Sequence, residues 1–235
     1  MADSDDEIEY EQEKFSIGGF TFEVTTVSYL PISKLMGLQE MSSEISGQKL
    51  WCGSIALMEY ILSNPNLITG KQIIELGAGT GVLGMLTKVI GAQSVYMTDY
   101  DERSLQHMQN DIQHNMIEAN IINLNWYHPE LSFMDLENPS LMSDIRVVAG
   151  DVLYKMALVE PFFKVVKSFL SSKEAFLLLC HVPRAGVEHR HVLEAILSAE
   201  LQVEIIPTEE WLKGACLEYC PRDDNQRAQV YRIFK

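Results

Sequence analysis

Residues 73–81, which read IIELGAGTG, constrain the fold of this 235-residue chain more than any other segment. An apolar run of strand length leads into three glycines, Gly77, Gly79 and Gly81, and a helical pattern begins at the last of them. Glycine reaches backbone conformations and close approaches that other residues cannot. A glycine loop between a buried strand and a helix is typical of doubly wound α/β folds, which bind ligands at that turn. We therefore expect a ligand site at the carboxyl end of this strand.

From Gly70 onward, strand-length apolar runs alternate with helical patterns. Continuous runs of Val, Ile and Leu favour strands that are buried on both faces of a mostly parallel sheet. The predicted strands are 72–77, 94–99, 121–127, 144–150, 175–182, 202–207 and 229–234, and the predicted helices are 81–90, 102–115, 158–170 and 187–198. This alternation predicts an α/β fold with a doubly wound, mostly parallel, seven-stranded Rossmann-like sheet.

The chain before this sheet divides into two predicted parts. Residues 1–14 hold seven acids against one base, which predicts a solvated, disordered tail. Residues 15–49 form a predicted β-rich extension, in which alternating apolar residues and the turn signal Gly18-Gly19 indicate a hairpin. The main domain is assigned to residues 50–235, and its first helix, 54–63, is expected to begin with Ser54 as N-cap.

Composition and charge limit the partners. The net charge of −15 would repel a phosphate backbone, so direct nucleic-acid binding is disfavoured, whereas a basic protein segment would be attracted. The start lacks the features of a signal peptide, and no apolar run has the length of a membrane span. The four cysteines are scattered without the spacing of a metal site, as in reduced cytoplasmic or nuclear proteins. We expect a monomer that works in the cytoplasm, with the nucleus as a second compartment. We expect it to bind neither a metal nor a membrane.

Two carboxylates flank the glycine loop and indicate its ligand. Glu75 stands two residues before Gly77, and Asp99 ends the next predicted strand, where it can accept hydrogen bonds from ribose hydroxyls. Tyr100 is placed to lie against an adenine. A dinucleotide fingerprint would have a third glycine where Val82 stands, and an acid at position 75 suits a cationic ligand better than a pyrophosphate. S-adenosylmethionine, which carries a sulfonium and an ammonium, fits this pattern.

Several motifs together resemble a known family. The ELGAGTG loop and the TDY sequence at the next strand end resemble the class I seven-strand methyltransferases. More narrowly, LW at 50–51, NW at 125–126 and DVLY at 151–154 resemble methyltransferase family 16, which consists largely of protein lysine methyltransferases. The resemblance runs from about Gln48 to the C-terminus and does not cover the acidic tail.

The resemblance implies S-adenosylmethionine as cofactor and a lysine side chain of a protein as methyl acceptor. The positions implied to line the cofactor site are Trp51, Glu75, Gly77, Gly79, Gly81, Asp99 and Trp126. Gly150 stands where the family more often has alanine, so a close approach of backbone to the cofactor is expected there. Arg184 resembles a family arginine that follows the fifth strand.

Asp151 and Tyr154 are the candidate catalytic residues, because they follow a predicted strand at the edge where α/β sheets bind ligands. The hypothesis is that Asp151 orients the incoming ammonium and Tyr154 walls its channel. The alternative is that Asp151 caps a turn and Tyr154 packs in the core. Three other functions stay open: an arginine methyltransferase, a methyltransferase of small molecules or nucleic acid, and a cofactor-binding module without turnover.

Overall fold

The computed structural model describes residues 8–29, 47–129 and 145–235. The strands of the described chain are β1 (Glu9–Ile17), β2 (Phe20–Tyr29), β3 (Gln72–Leu76), β4 (Ser94–Asp99), β5 (Asn120–Asn123), β6 (Ile145–Gly150), β7 (Phe176–His181), β8 (Gln202–Ile206) and β9 (Gln229–Phe234). The α-helices are α1 (Cys52–Ser63), α2 (Val82–Val89), α3 (Glu102–His114), α4 (Met156–Phe169), α5 (His189–Ser198), α6 (Gly214–Tyr219) and α7 (Arg222–Arg227). Short 3₁₀ turns cover Pro65–Leu67 and Thr208–Glu210.

The main sheet has seven strands in the order β5-β4-β3-β6-β7-β9-β8. Strands β5, β4, β3, β6 and β7 pair in parallel, and β9 runs antiparallel to both of its neighbours, β7 and β8. The chain order reverses beside β3, whose neighbours β4 and β6 are reached in opposite directions, and ligands of open α/β sheets bind at such a switch point. The predicted doubly wound, mostly parallel seven-stranded sheet is confirmed.

The two faces of the sheet carry separate apolar clusters, which explains the continuous apolar strands. Ile73 and Val148 face one cluster, built largely with α1 and α2, while Ile74 and Val147 face the other, built largely with α4 and α5. Alternate residues of one strand therefore enter opposite layers. The four cysteines lie in the first of these layers, where all are free and buried.

Strand β5 is shorter than predicted, because local hydrogen bonds of the backbone and of Asn125 end it early. The sequence predicts a strand over 121–127, but the strand covers Asn120–Asn123. After Leu124 the carbonyl of Asn125 accepts the N–H of His128 at 3.0 Å, and its side-chain oxygen accepts the N–H of Tyr127 at 3.0 Å. Such an Asx turn competes with the strand ladder, and it releases Trp126 from the sheet.

The predicted serine cap of the first helix is wrong. Helix α1 begins at Cys52 with Trp51 at its N-cap position, and no side chain caps this end. Ser54 lies inside the first turn, where its hydroxyl donates to the carbonyl of Gly150 at 3.5 Å. The start of the helix is therefore fixed by packing against β6 rather than by local capping.

The hairpin at the N-terminus confirms the predicted turn at Gly18-Gly19 but starts earlier than expected. Residues 9–14, which the sequence assigns to a disordered tail, form most of β1 and pair with residues 23–29 of β2. Residues 1–7 of the predicted tail and 30–46 of the predicted extension lie outside the described residues. The boundary at residue 50 stays a prediction.

Asp111 of α3 anchors the hairpin to the main domain. Its side chain is fully buried and accepts hydrogen bonds from the backbone N–H of Thr25 at 2.8 Å, from the Thr25 hydroxyl at 2.8 Å and from the Gln12 amide at 3.2 Å. A buried carboxylate needs such donors, because burial without them costs several kcal/mol.

None of the helices in the described part of the chain combines the length and the apolar composition that a membrane span requires.

We expect Asp111→Ala to lower the free energy of unfolding by about 2–4 kcal/mol, because it leaves two buried donors of Thr25 without their acceptor. The exposed Asp223 offers a matched control, and Asp223→Ala should cost less than about 1 kcal/mol. Urea denaturation followed by circular dichroism measures both. Equal unfolding free energies of the two variants would refute the anchoring role.

Candidate functional site

A cleft of about 250 Å³ opens at the carboxyl ends of β3, β4 and β6. Its walls come from the glycine loop, from the segments after β4, β5 and β6, and from the residues before α1. The lining residues are Gly47, Lys49, Trp51, Ser54, Gly77, Ala78, Gly79, Thr80, Asp99, Tyr100, Leu124, Asn125, Trp126, Tyr127, Gly150, Asp151, Val152, Tyr154, Lys155 and Leu158. The structure thus brings together nine of the eleven residues predicted as cofactor-binding or catalytic, and it leaves out Glu75 and Gly81.

The glycine loop takes a backbone path that only glycine follows easily. Gly77, Gly79 and Gly81 have φ values of 66°, 56° and 73°, all in the left-handed region. A Cβ on Gly77 would lie 2.9 Å from Val152 and 3.4 Å from Trp126, and one on Gly79 would lie 2.8 Å from the carbonyl of Gly47. Gly81 instead faces the core. The first two glycines therefore shape the cleft, and the third lets α2 begin close to the sheet.

Asp99 ties the glycine loop to the end of β4. Its carboxylate is 7% exposed and accepts the N–H of Gly79 at 2.9 Å, of Tyr100 at 2.8 Å and of Asp101 at 3.1 Å. Burial raises the pKa of Asp99, while these three donors lower it. A carboxylate has about four acceptor positions, so capacity for a further donor stays available where Asp99 lines the cleft.

Glu75 lies behind the cleft wall, under the first turn of α2. Its side chain is fully buried, and a Cβ on Gly84 would contact its Oε2. Within the described residues Oε2 has no hydrogen-bond partner. Burial, and to a smaller degree the charge of Asp99, raise the pKa of Glu75 to about 8. The carboxyl is therefore mostly protonated at neutral pH, and the expected direct attraction of a cationic ligand does not follow from this position.

Aromatic side chains form the walls around Asp99. Trp126 packs edge-on against Phe162 with ring centroids 5.1 Å apart, so its orientation is set by the core below it. Tyr100 and Tyr127 stay 44% and 53% exposed, and the hydroxyl of Tyr127 donates to the carbonyl of Ala157 at 3.0 Å. Flat apolar faces beside a carboxylate suit a ligand with an aromatic ring and hydroxyl groups.

The start of α1 is pressed against the end of β6 through two glycines. A Cβ on Gly53 would lie 2.7 Å from the backbone nitrogen of Asp151, and one on Gly150 would lie 2.6 Å from the Cα of Ser54. The expected close approach at Gly150 is thus made by Ser54, although Gly150 also lines the cleft. The contact brings Trp51 to the wall that holds Asp151.

The two candidate catalytic residues occupy this wall. Tyr154 is half-buried and lines the cleft. The side chain of Asp151 is only 2% exposed and forms an ion pair with Arg184, whose Nη2 lies 2.7 Å from Oδ2. Burial raises the pKa of Asp151, and Arg184 lowers it. The Asp151 carboxylate is therefore already paired with Arg184, and it is not the free carboxylate that the hypothesis of an incoming ammonium assumed.

Several lining residues were missed by the sequence analysis. Ala78 and Thr80 lie inside the glycine loop, and Asn125, Tyr127 and Val152 adjoin predicted site residues, so an interpretation by segments would have found them. Lys155 likewise adjoins the predicted Tyr154, whereas Lys49 gives no such signal, because isolated lysines are usually solvated. Asp224, which does not line the cleft but lies 3.1 Å from Arg184, was also missed, because it comes from α7, a helix that was not predicted.

Comparisons with known proteins agree with this architecture. A family model described as lysine methyltransferase matches residues 32–197. The electron transfer flavoprotein beta subunit lysine methyltransferase of Rattus norvegicus is 37% identical over 51 residues, 22% of this chain and 20% of that protein. The protein N-terminal and lysine N-methyltransferase of Emericella nidulans is 37% identical over 65 residues, 27% of this chain and 25% of that protein. The match therefore spans a quarter or less of these two curated relatives.

A solved structure shows the same fold. The 16S rRNA methyltransferase of T. thermophilus, solved with AdoMet and guanosine, has a TM-score of 0.56 and 16% identity. The likeness covers 96% of this chain and 50% of that chain. At this identity it reports on fold alone.

The raised pKa of Glu75 predicts how stability depends on pH. Because its folded pKa of about 8 exceeds its ordinary value of 4.5, its stabilising contribution is complete below pH 4.5 and is lost as pH rises through 8. Each pKa unit corresponds to about 1.4 kcal/mol. Glu75→Gln should remove this loss, so the variant gains on the order of a few kcal/mol relative to the wild type between pH 5 and pH 9.

Urea denaturation of both proteins at pH 5, 7 and 9, without ligand, measures this difference. Asp151 titrates in both proteins and cancels in the comparison, and the coupling between Asp99 and Glu75 is the smaller cause of the Glu75 shift, after burial. Parallel stability curves for the wild type and Glu75→Gln would show that Glu75 is ionised in its buried position.

Proposed function

This chain belongs to the lysine methyltransferase family, and we propose that it transfers a methyl group from S-adenosylmethionine to a lysine side chain of a protein. The observation that carries the proposal is the cleft itself. A left-handed glycine loop, the carboxylate of Asp99 and the ring of Trp126 meet there with Asp151, at the switch point of the sheet. The same premise supports residues 50–235 as the catalytic domain.

The residues of the cleft fit the cofactor. Gly77 and Gly79 leave space that any Cβ would reduce, and Asp99 keeps acceptor capacity for a ribose hydroxyl. Trp126 and Tyr100 offer faces to an adenine. When bound, S-adenosylmethionine supplies an electrophilic methyl group on a sulfonium. Glu75 and Gly81 would act behind these groups, by holding the shape of the loop.

The acceptor end of the cleft, formed by Trp51, Asp151 and Tyr154, must take up a lysine amine. A lysine ammonium has a pKa of about 10.4 and must lose its proton before its nitrogen can attack a methyl group. The wall of Trp51, Asp151 and Tyr154 aligns and partly desolvates the amine, and water takes the proton. Asp151 acts as a fixed negative charge facing the amine rather than as a free base, since its carboxylate already accepts a hydrogen bond from Arg184.

The net charge of −15 supports a substrate with a basic segment and disfavours nucleic acid as substrate. We also propose that the enzyme works as a monomer in the cytoplasm or nucleus.

Asp99→Ala should weaken S-adenosylmethionine binding by about 10- to 100-fold, because it removes a charged hydrogen-bond acceptor and releases the N–H of Gly79. Isothermal titration calorimetry measures the affinity, with the exposed Asp223→Ala as matched control. Nicotinamide dinucleotides should give no heat. Tight binding of NAD, or equal affinity of both variants for the methyl donor, would contradict the cofactor assignment.

The acceptor can be identified from cell extract. We expect radiolabel from the methyl group of S-adenosylmethionine to become protease-sensitive and nuclease-resistant, and acid hydrolysis to yield methylated lysine. Asp151→Asn should lower the labelling at least about tenfold while it retains cofactor affinity, because only the acceptor wall changes. Methylated arginine would reassign the acceptor, and label confined to RNA would overturn the protein substrate.

A further inference from the structure

Arg184 contacts two residues of the acceptor wall (Trp51, Asp151 and Tyr154) although it does not itself line the cleft. Its Nη2 lies 2.7 Å from Oδ2 of Asp151, and its Nε lies 3.3 Å and 3.2 Å from the two carboxylate oxygens. Nη2 also donates to Asp224 of α7 at 3.1 Å. The guanidinium carbon lies 4.8 Å from the ring centroid of Trp51. One side chain thus contacts both the charged and the aromatic part of the acceptor wall.

The backbone on both sides of this pair is constrained. Asp151 has a φ of 61°, a left-handed conformation that costs energy for a residue with a Cβ. Its N–H donates to the carbonyl of Cys180 at 2.9 Å, which fixes it to the end of β7. Arg184 begins a tight turn that closes on Val187, whose N–H donates to the Arg184 carbonyl at 2.8 Å. These hydrogen bonds hold the backbone of both partners in place.

The charges around Asp151 leave Arg184 as its main compensation among the described residues. The titratable groups that face it are Cys52 from α1, Cys180 from β7, Asp224 from α7 and Arg184 itself. The two thiols and the second carboxylate do not stabilise a negative charge. Of these described groups, the guanidinium stabilises the negative charge of Asp151, and a backbone hydrogen bond at Val182 adds to its effect.

We propose that Arg184 is a positioning residue that keeps the Asp151 carboxylate ionised and turned toward the acceptor end of the cleft, and holds Trp51 in place beside it. The step from this geometry to methyl transfer rests on the proposed function. The arrangement itself does not, because an ion pair and a stacked ring exist without substrate. A planar guanidinium is needed, since a lysine ammonium cannot form the fork or stack on the indole.

The test reads the ionisation of Asp151 directly. Protein labelled with ¹³C at the aspartate carboxyl carbons is titrated by NMR, and Asp151→Asn identifies the signal. We expect Arg184→Gln to raise the titration midpoint of Asp151 by at least about one pH unit, because burial is then opposed only by the backbone hydrogen bond at Val182. Asp224→Asn should lower the midpoint, because it removes a nearby negative charge while the Arg184–Asp151 pair stays. The two variants thus shift in opposite directions.

Arg232→Gln is the matched control. Arg232 also lies over an aromatic ring, 4.4 Å from Phe176, and also pairs with an acid, Glu204, but it lies on β9 away from Asp151. Its loss should leave the Asp151 midpoint unchanged. Arg184→Lys should keep part of the electrostatic effect and lose the stacking.

Methyl-transfer measurements separate this inference from the proposed function. In Arg184→Gln the acid limb of the pH profile should move to higher pH with the NMR midpoint, while the affinity for S-adenosylmethionine changes less than about threefold. An unchanged midpoint in Arg184→Gln, or shifts of equal sign in Arg184→Gln and Asp224→Asn, would overturn the positioning role. If Arg184→Gln does not fold, Arg184→Lys and Asp224→Asn decide by the same criterion. A wild type without any transfer would refute the proposed function and leave the NMR result standing.

Discussion

The contact between the start of α1 and the end of β6 is the constraint on which the site depends. Gly53 and Gly150 face the backbone of Asp151 and of Ser54, and neither position has space for a Cβ. Because of this approach, a helix that packs on one face of the sheet delivers Trp51 to the same edge that carries Asp151. Without it, Trp51 would be separated from Asp151, and Arg184 would lose the indole as a partner while it keeps Asp151 and Asp224.

Three buried carboxyl groups lie near the cleft, and each avoids the cost of an uncompensated buried charge differently. Glu75 stays mostly neutral at pH 7, since burial raises its pKa to about 8. Asp99 is solvated by three backbone N–H groups. Asp151 is paired with a guanidinium. Under the proposed function these environments would separate three roles: Glu75 would support the loop, Asp99 would bind the hydroxyls of a nucleoside, and Asp151 would offer a fixed negative charge to an amine.

The bounds of β4 and β9 agree with the sequence prediction, and those of the fully buried β7 differ from it by one residue at each end. The errors occur where a local contact competes with the pattern. The Asx turn at Asn125 ends β5 early, and packing on Gly150 starts α1 before Ser54. Residues 9–14 look like a solvated tail, yet the buried Asp111 of α3 gives Gln12 a partner that no local pattern reveals.

The sequence by itself determined the class of fold, the glycine loop and the carboxylate at the next strand end, because strand periodicity and glycine spacing are local properties of the chain. Tertiary structure alone decided which carboxyl groups carry charge. In the sequence, Glu75 and Asp151 are both acidic residues near the end of a predicted strand. In the structure, Glu75 lies under a helix, whereas Asp151 lies beside Arg184, 33 residues further along the chain. Ionisation depends on burial and on neighbours in space, and only the folded chain brings those neighbours together.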